Sequence, residues 1–295
     1  MDNPLPNLSG KTRPFAVLGH PIGHSLSPVM HNASFRALRL DAVYLAFDVH
    51  PDRLLGVLPA MRDMGFGGVN LTVPLKEVAF RGLSDLDASA RRVGAVNTVE
   101  FRPDGSLRGH NTDGAGFLLA LRESFAVDVR GLRVFIAGCG GAGRCVAITC
   151  AEAGAAAVAL ADADAARPPK VAAEIAAMAP AAAVRAMPAD AKAWAGAARE
   201  ADLVVQATPV GMRREDGSPL PAEAFRNGQF AYDLVYMYPE TAFMRAAAGA
   251  GARASNGLGM LLHQGARAFS IWTGRDADAQ SMRTALEQAV YAKNL

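Results

Sequence analysis

The chain has 295 residues, and since domains usually run to about 100–150, two lobes are expected rather than one core. A hydrophobic share of 51% against 20% charged residues is that of a globular protein, and a net charge of +2 with the two signs interspersed excludes an electrostatic footprint for nucleic acid or membrane. The opening "MDNPLPNLSGKTRP" has no basic start or apolar signal core, and no run of about 18 apolar residues follows, so a cytoplasmic protein acting on small molecules is expected.

Short β-type runs alternate with helical stretches, the pattern of an α/β protein with mostly parallel sheets. The first half offers strands at "FAVLG" (15–19), "VYLAFDV" (43–49), "GVNLTV" (68–73) and "NTVEF" (97–101). Ser27-Pro28 and His50-Pro51 each place proline at a first helical position, where its missing N–H is no loss. "PDG" (103–105) reads as a turn from "NTVEF" to "SLRGHNT", which puts one antiparallel pair in this half.

After Asp113 the alternation restarts with "LRVFIAG", "AVALAD", "AVRAM", "DLVVQA" and "FAYDLV" as strands, and the alanine-rich stretch 151–201 supplies helices between them. "VGMRREDGSPLP" (210–221) reads as a mobile loop. Cys139, Cys145 and Cys150 lack the spacing of a zinc site or a disulfide framework and are expected as reduced, buried thiols. His20, His24 and His31 come without the acidic or cysteine companions of a metal cluster, so no metal is expected, and His24 is assigned to ordering the loop around Ser25.

In "LRVFIAGCGGAGRCVAITCAEAG" (132–154) a strand runs into Gly138, Gly140, Gly141, Ala142 and Gly143 and then into a helix. That order suits a dinucleotide site. One glycine permits the tight turn, another lets backbone approach a pyrophosphate, a third lets helix and strand pack closely, and the helix N-terminus faces the phosphates. Arg144, just inside the helix, either adds charge near the phosphates or is a solvated helix residue. Asp162 ends the next strand, where a carboxylate accepts hydrogen bonds from the adenosine ribose and repels a 2′-phosphate. NAD is therefore expected over NADP. Asp164 deepens the negative potential or caps the following helix, and Arg167 is the nearby cation that could answer a phosphate.

The phrases "HSLSP", "NLTVPLK", "GAVNT", "NTDG", the glycine turn, "ATPVGM", "YDLVY" and "GLGMLLHQ" occur in this order along nearly the whole chain. Together they resemble the shikimate/quinate dehydrogenases, oxidoreductases that act on the ring hydroxyl of a cyclohexene or cyclohexane carboxylate. The resemblance implies an α/β substrate domain over 1–113 plus 255–295 and a Rossmann-like NAD(P)-binding domain over 114–254. It implies that Ser25 and Ser27 hold the substrate carboxylate, with Ser27 also free to cap its helix, and that Asn70, Thr72, Asn97, Tyr236 and Gln264 meet the ring. Amide and hydroxyl groups both donate and accept, which suits polyols.

Lys76 and Asp113 match the catalytic pair, with Lys76 as proton relay: hydride transfer at a carbinol carbon needs a proton to leave or reach the oxygen. Thr208, Leu234, Gly257 and Met260 match the nicotinamide end. Three departures bear on specificity. NADP-using members carry an Asn-Arg-Ser/Thr phrase where this chain has Asp162-Ala163-Asp164, and Gln206 stands where asparagine is usual. His110 likewise stands where aspartate is frequent. The expected activity is thus reversible hydride transfer between NAD and the ring hydroxyl of shikimate or quinate, in the direction of catabolism. The alternatives are an NADP-dependent biosynthetic shikimate dehydrogenase and a non-catalytic sensing module of the same fold. A homodimer stays open.

Overall fold

The structure is a computed structural model that describes residues 8–291. The chain forms two compact units: residues up to Thr112 with those from Leu262, and Asp113–Leu261.

In the first unit β1 (Arg13–Gly19) is buried through its last five residues, as befits a central parallel strand covered on both faces. The chain then runs through α1 (Ser27–Ala37), β2 (Ala42–Asp48), α2 (Leu54–Asp63), β3 (Gly68–Leu71), α3 (Leu75–Gly82), β4 (Asp85–Leu86), α4 (Ala88–Val93), β5 (Thr98–Phe101) and β6 (Leu107–His110). The sheet order is β2-β1-β3-β5-β6-β4. The expected β5/β6 hairpin is present, but β5 is antiparallel to β3 as well, with Asn70 opposite Thr98, so there are two antiparallel pairs and not one. The excursion through α3, β4 and α4 brings the chain back at the carboxyl end of β3, and β5 must run the other way. Gly94, in the left-handed region at φ 64°, ends α4 and makes that reversal.

The second unit begins with α5 (Asp113–Phe125) and continues through β7 (Arg133–Ala137), α6 (Gly141–Glu152), β8 (Ala157–Ala161), α7 (Arg167–Met178), β9 (Ala183–Ala186), α8 (Ala191–Glu200), β10 (Leu203–Gln206), β11 (Phe230–Asp233), α9 (Ala242–Gly249) and β12 (Arg253–Ser255). All neighbours are parallel, in the order β12-β11-β10-β7-β8-β9. The chain winds outward from β7 in one direction, then returns to β10 and winds in the other, so the strand order reverses between β7 and β10. In open α/β sheets ligands bind outside the carboxyl ends of the strands at that switch. Alanines on α6, α8 and α9, among them Ala147, Ala151, Ala198 and Ala247, are buried, which lets these helices lie close on the sheet. The three cysteines are buried and unpaired with one another, and burial pushes the Cys139 thiol up to about 12.

The helix α10 (Leu258–Thr273) begins in the second unit and returns the chain to the first, where α11 (Ala279–Tyr291) follows. The C-terminal return thus joins the first unit from Leu262 rather than from about 255, because a continuous helix carries the boundary. Among the described residues no helix is long and apolar enough to cross a membrane.

Within the first unit Phe15, Phe35, Tyr44, Phe269 and Trp272 build an aromatic core around His31. The imidazole of His31 is fully buried and stacks on Tyr44 at 4.3 Å, and neither ring nitrogen has a hydrogen-bond partner among the described residues. Burial lowers its pKa from 6.5 to about 3. The unfolded chain binds this proton near pH 6.5 while the folded chain resists it, so stabilisation present above that pH is lost as pH falls toward 3. The slope reaches about 1.4 kcal/mol per pH unit. His31→Phe keeps a stacked ring without a proton site. In urea unfolding series the variant should lose most of that slope between about pH 6 and pH 4.

Candidate active site

In the second unit the chain leaves β7 at Gly138 with φ 102°, a left-handed turn. A Cβ there would lie 2.6 Å from the Ala207 carbonyl carbon, and one on Gly143 would strike the Gly138 carbonyl oxygen. The start of α6 is thereby pressed onto the strand ends. Gly140 and Gly141 differ, since a Cβ on either meets nothing within 4 Å. The face of the turn is open, and the unpaired N–H groups of the first turn of α6 lie at it, with the positive end of the helix dipole.

Asp162 follows β8 directly and is buried. One carboxylate oxygen accepts from the Cys139 N–H at 2.7 Å and the other from the Asp164 N–H at 2.9 Å. The acid expected to meet a ribose therefore also braces the glycine turn. Asp164 does not cap α7: its side chain accepts from the Ala166 N–H at 3.1 Å, closing a turn one step too early, and Ala166 itself is the N-cap. Arg167 sits 3.2 Å from Asp164 and 3.8 Å from Asp162. Arg144 turns to Glu174 at 2.6 Å, an ion pair between α6 and α7.

The remaining strand ends carry the other expected residues. Buried Gln206, the last residue of β10, donates through Nε2 to the carbonyls of Thr208 at 3.2 Å and Val210 at 2.6 Å, and its Oε1 accepts the Thr208 N–H. The Leu234 N–H donates to the Gln206 carbonyl at 2.8 Å. A Cβ on Gly257 would strike the Leu234 carbonyl, and the Met260 N–H donates to the Tyr232 hydroxyl at 3.2 Å. Tyr236 lies on the segment after β11, and burial raises its phenol. Asp233 fastens that segment, accepting from the Val235 N–H at 2.9 Å and the Thr241 hydroxyl at 2.6 Å, while burial raises its carboxyl to about 6. Within the 210–221 loop Asp216 accepts from the N–H groups of Gly211 at 2.9 Å and Arg213 at 3.1 Å, which ties its first turn together.

In the first unit the reversal of β5 gathers the start of β5 and the ends of β1 and β3. Gly19 ends β1, and a Cβ there would meet the Thr72 methyl at 2.6 Å, so the segment after β3 folds over it. A directed polar network runs beneath. Ser27 is buried on the same side as Tyr44. The Tyr44 hydroxyl donates to Asn70 Oδ1 at 2.6 Å, and Asn70 Nδ2 donates to the Asn97 carbonyl and to Thr98 Oγ1, each at 3.0 Å.

Thr98 Oγ1 then donates to Asn97 Oδ1 at 3.0 Å, which also accepts the Thr112 N–H at 2.8 Å. Asn97 Nδ2 completes the chain toward Thr112 Oγ1 at 2.9 Å and Gln264 Oε1 at 3.4 Å. Burial raises the Tyr44 pKa well above the ordinary phenol value, so the ring stays a donor. Each amide is thus held in one orientation.

Ser27 is not the cap of α1. Leu26 holds that position, and its apolar side chain supplies no cap. Ser25 is half-buried, and its Oγ accepts the Ser27 N–H at 3.3 Å. His24 is exposed, and no hydrogen bond to the serine loop is found for it among the described residues. Lys76 is half-buried in the first turn of α3, where its carbonyl accepts the Val96 N–H at 3.0 Å. Asp113, buried, opens α5 directly after Thr112. His110, the other departure, is bonded to Glu100 at 3.1 Å. Sequence reasoning missed Tyr44, Thr98 and Thr112 as members of the network. Thr112 stood within the quoted "NTDG", whereas Tyr44 reads as an ordinary strand aromatic.

A doubly wound parallel sheet with an open glycine turn and a strand-end carboxylate defines a nicotinamide-dinucleotide oxidoreductase. The family model described as the shikimate dehydrogenase substrate binding domain matches residues 17–99, and that of the shikimate 5'-dehydrogenase C-terminal domain matches 257–287. The chain belongs to the shikimate dehydrogenase family. A protein of Moorella thermoacetica named shikimate dehydrogenase (NADP(+)) is 45% identical over 283 residues, 95% of this chain and 94% of its own.

Two solved structures are similar throughout. Shikimate 5-dehydrogenase from Listeria monocytogenes in complex with shikimate and NAD has a TM-score of 0.88 and 34% identity, covering 97% of this chain and 100% of that one. Quinate dehydrogenase from Corynebacterium glutamicum in complex with NAD has a TM-score of 0.85 and 30% identity, covering 93% and 98%.

The two kinds of glycine in the turn separate by experiment. Gly143→Ala, which forces a backbone collision, should destabilise the protein by about 1–3 kcal/mol. Gly141→Ala fills only open space, so its melting temperature should stay at the wild-type value while NADH affinity falls, read by thermal denaturation and fluorescence titration.

Proposed function

We propose that this protein catalyses reversible hydride transfer between NAD and the ring hydroxyl of shikimate or quinate, giving the 3-dehydro acid. The observation that carries the NAD preference is Asp162, buried at the end of β8 with Asp164 beside it and Arg167 already balanced between the two. A 2′-phosphate brings about −1.5 to −2 charge, and like unit charges about 4 Å apart repel by about 4 kcal/mol at an effective dielectric near 20. Ribose hydroxyls, by contrast, find the carboxylate lone pairs that Cys139 and Asp164 leave unused. The open faces of Gly140 and Gly141 fit a pyrophosphate, with Thr208, Leu234, Gly257 and Met260 at the nicotinamide end. When bound, the nicotinamide accepts or returns the hydride.

The chain's own task is the proton and the placement of the ring. Lys76 takes the hydroxyl proton on oxidation and returns it on reduction, with Asp113 holding the amine and hydroxyl in line. Ser25 and Ser27 hold the ring carboxylate through charge-assisted hydrogen bonds. Asn70 spends both amide hydrogens on Asn97 and Thr98, so only an oxygen lone pair remains, which suits a ring hydroxyl acting as donor. Thr72, Asn97, Gln264 and Tyr236 complete the ring contacts, and Tyr236, kept protonated by burial, serves as a donor.

A second reading, use of NADP, is favoured by Arg167, within reach of a phosphate once it leaves the acids, and by the name of the Moorella relative. Initial rates with shikimate and quinate against NAD and NADP decide between them: kcat/KM should be at least about tenfold higher with NAD, and an inverted ratio would reject the preference. Lys76→Ala should cut kcat by about 10²–10⁴, with melting temperature and NADH affinity unchanged. An active variant would remove the lysine from the chemistry.

A further inference from the structure

We infer that Gln206 is a positioning residue for dinucleotide binding, acting through the backbone of Thr208; the inference rests on reading this end of the second unit as the dinucleotide site. Gln206 closes β10 and is fully buried. Its amide spans both polar groups of one residue, accepting the Thr208 N–H and donating to the Thr208 carbonyl at 3.2 Å, and the same Nε2 reaches the Val210 carbonyl at 2.6 Å. Both amide hydrogens are used. A side chain thereby continues the hydrogen bonding that β10 abandons after Ala207, whose own N–H still donates to Ala137 at 2.7 Å.

What this clamp holds is the wall of the glycine turn. The 207–208 peptide is the surface on which Gly138 rests, since a Cβ at 138 would stand 2.6 Å from the Ala207 carbonyl carbon and 2.9 Å from the Thr208 nitrogen. The Ala207 methyl faces Gly143 from the same side, 3.0 Å from where its Cβ would be. A shift of that peptide therefore moves either the turn or Thr208, and one buried amide controls both. The Gln206 carbonyl also accepts the Leu234 N–H at 2.8 Å, which links the clamp to the next strand end. An asparagine is one methylene shorter and reaches less far toward Thr208 and Val210 from this backbone position.

Three variants separate positioning from bulk. Gln206→Glu keeps the shape and the acceptor for Thr208 but cannot donate to the two carbonyls, Gln206→Leu removes every bond, and Gln206→Asn shortens the reach. NADH binding is read by fluorescence titration of the full-length protein without any ring acid, beside thermal melts and steady-state kinetics. NADH affinity should fall about tenfold in the glutamate and leucine variants and less in the asparagine variant. The KM for the ring acid should move less than about twofold.

Variants that bind NADH within about twofold of wild type would overturn the inference, as would a loss of melting temperature with unchanged affinity in the folded fraction. If the leucine variant fails to fold, the glutamate and asparagine variants decide. A wild-type protein that binds no NADH would reject the dinucleotide reading itself, a result distinct from either.

Discussion

The second unit depends on an approach of backbone to backbone that a single methyl group would forbid. The Gly143 Cα lies against the Gly138 carbonyl, and Gly138 lies against the 207–208 peptide, so three segments from β7, α6 and β10 meet with only the Ala207 methyl between them. This contact closes the switch point of the sheet on one side and leaves it open on the side of Gly140 and Gly141. Asp162 and Gln206 then secure the arrangement from its two flanks, one through the Cys139 N–H and the other through Thr208. Both are residues whose polar atoms would look unspent in a strand pattern and which are instead consumed by loop backbone.

The first unit solves a different problem. Polar side chains stand in a sheet that is otherwise apolar, and buried amides and hydroxyls are tolerated only when bonded. The run from Tyr44 through Asn70, Thr98 and Asn97 to Thr112 and Gln264 meets that demand with a consistent direction of donation, fixed at one end by a backbone N–H that cannot reverse. The groups nearest the expected ligand are thus preorganised before it arrives, and less ordering remains to be done on binding.

The parallel strands and the glycine turn were legible because each answers to a local rule: a buried strand reads as an apolar run, and a left-handed or crowded position reads as glycine. Asp162 was legible by its place after β8. The direction of β5 was not, since a strand buried on both faces reads as the same apolar run whichever way it points, and the path through α3, β4 and α4 decides. The strands β4 and β12, two and three residues long, fall below any periodic signal. Capping was one reading for Asp164 and a second role for Ser27, yet Asp164 bonds the nearer Ala166 N–H and Ser27 lies one step inside its helix. Competing short-range bonds of this kind are invisible without coordinates. The roles of the individual site residues came from family resemblance, whereas the clamps that hold them came from geometry.

The pairing of Asn70 with Thr98 has a consequence for how the chain can change in length. Side chains on a strand alternate faces, so inserting or deleting one residue within β3 or β5 would rotate an amide and a hydroxyl out of the shared layer together. The 102–106 connection at the opposite end of β5 carries no such burden: the Arg102 N–H donates to the Ser106 carbonyl, the Gly105 N–H closes the turn on Arg102, and Arg62 donates to the Gly105 carbonyl at 2.6 Å, none of them part of the network. Size variation in this part of the protein is therefore channelled to that hairpin tip, where backbone can lengthen without disturbing a donor or an acceptor of the network.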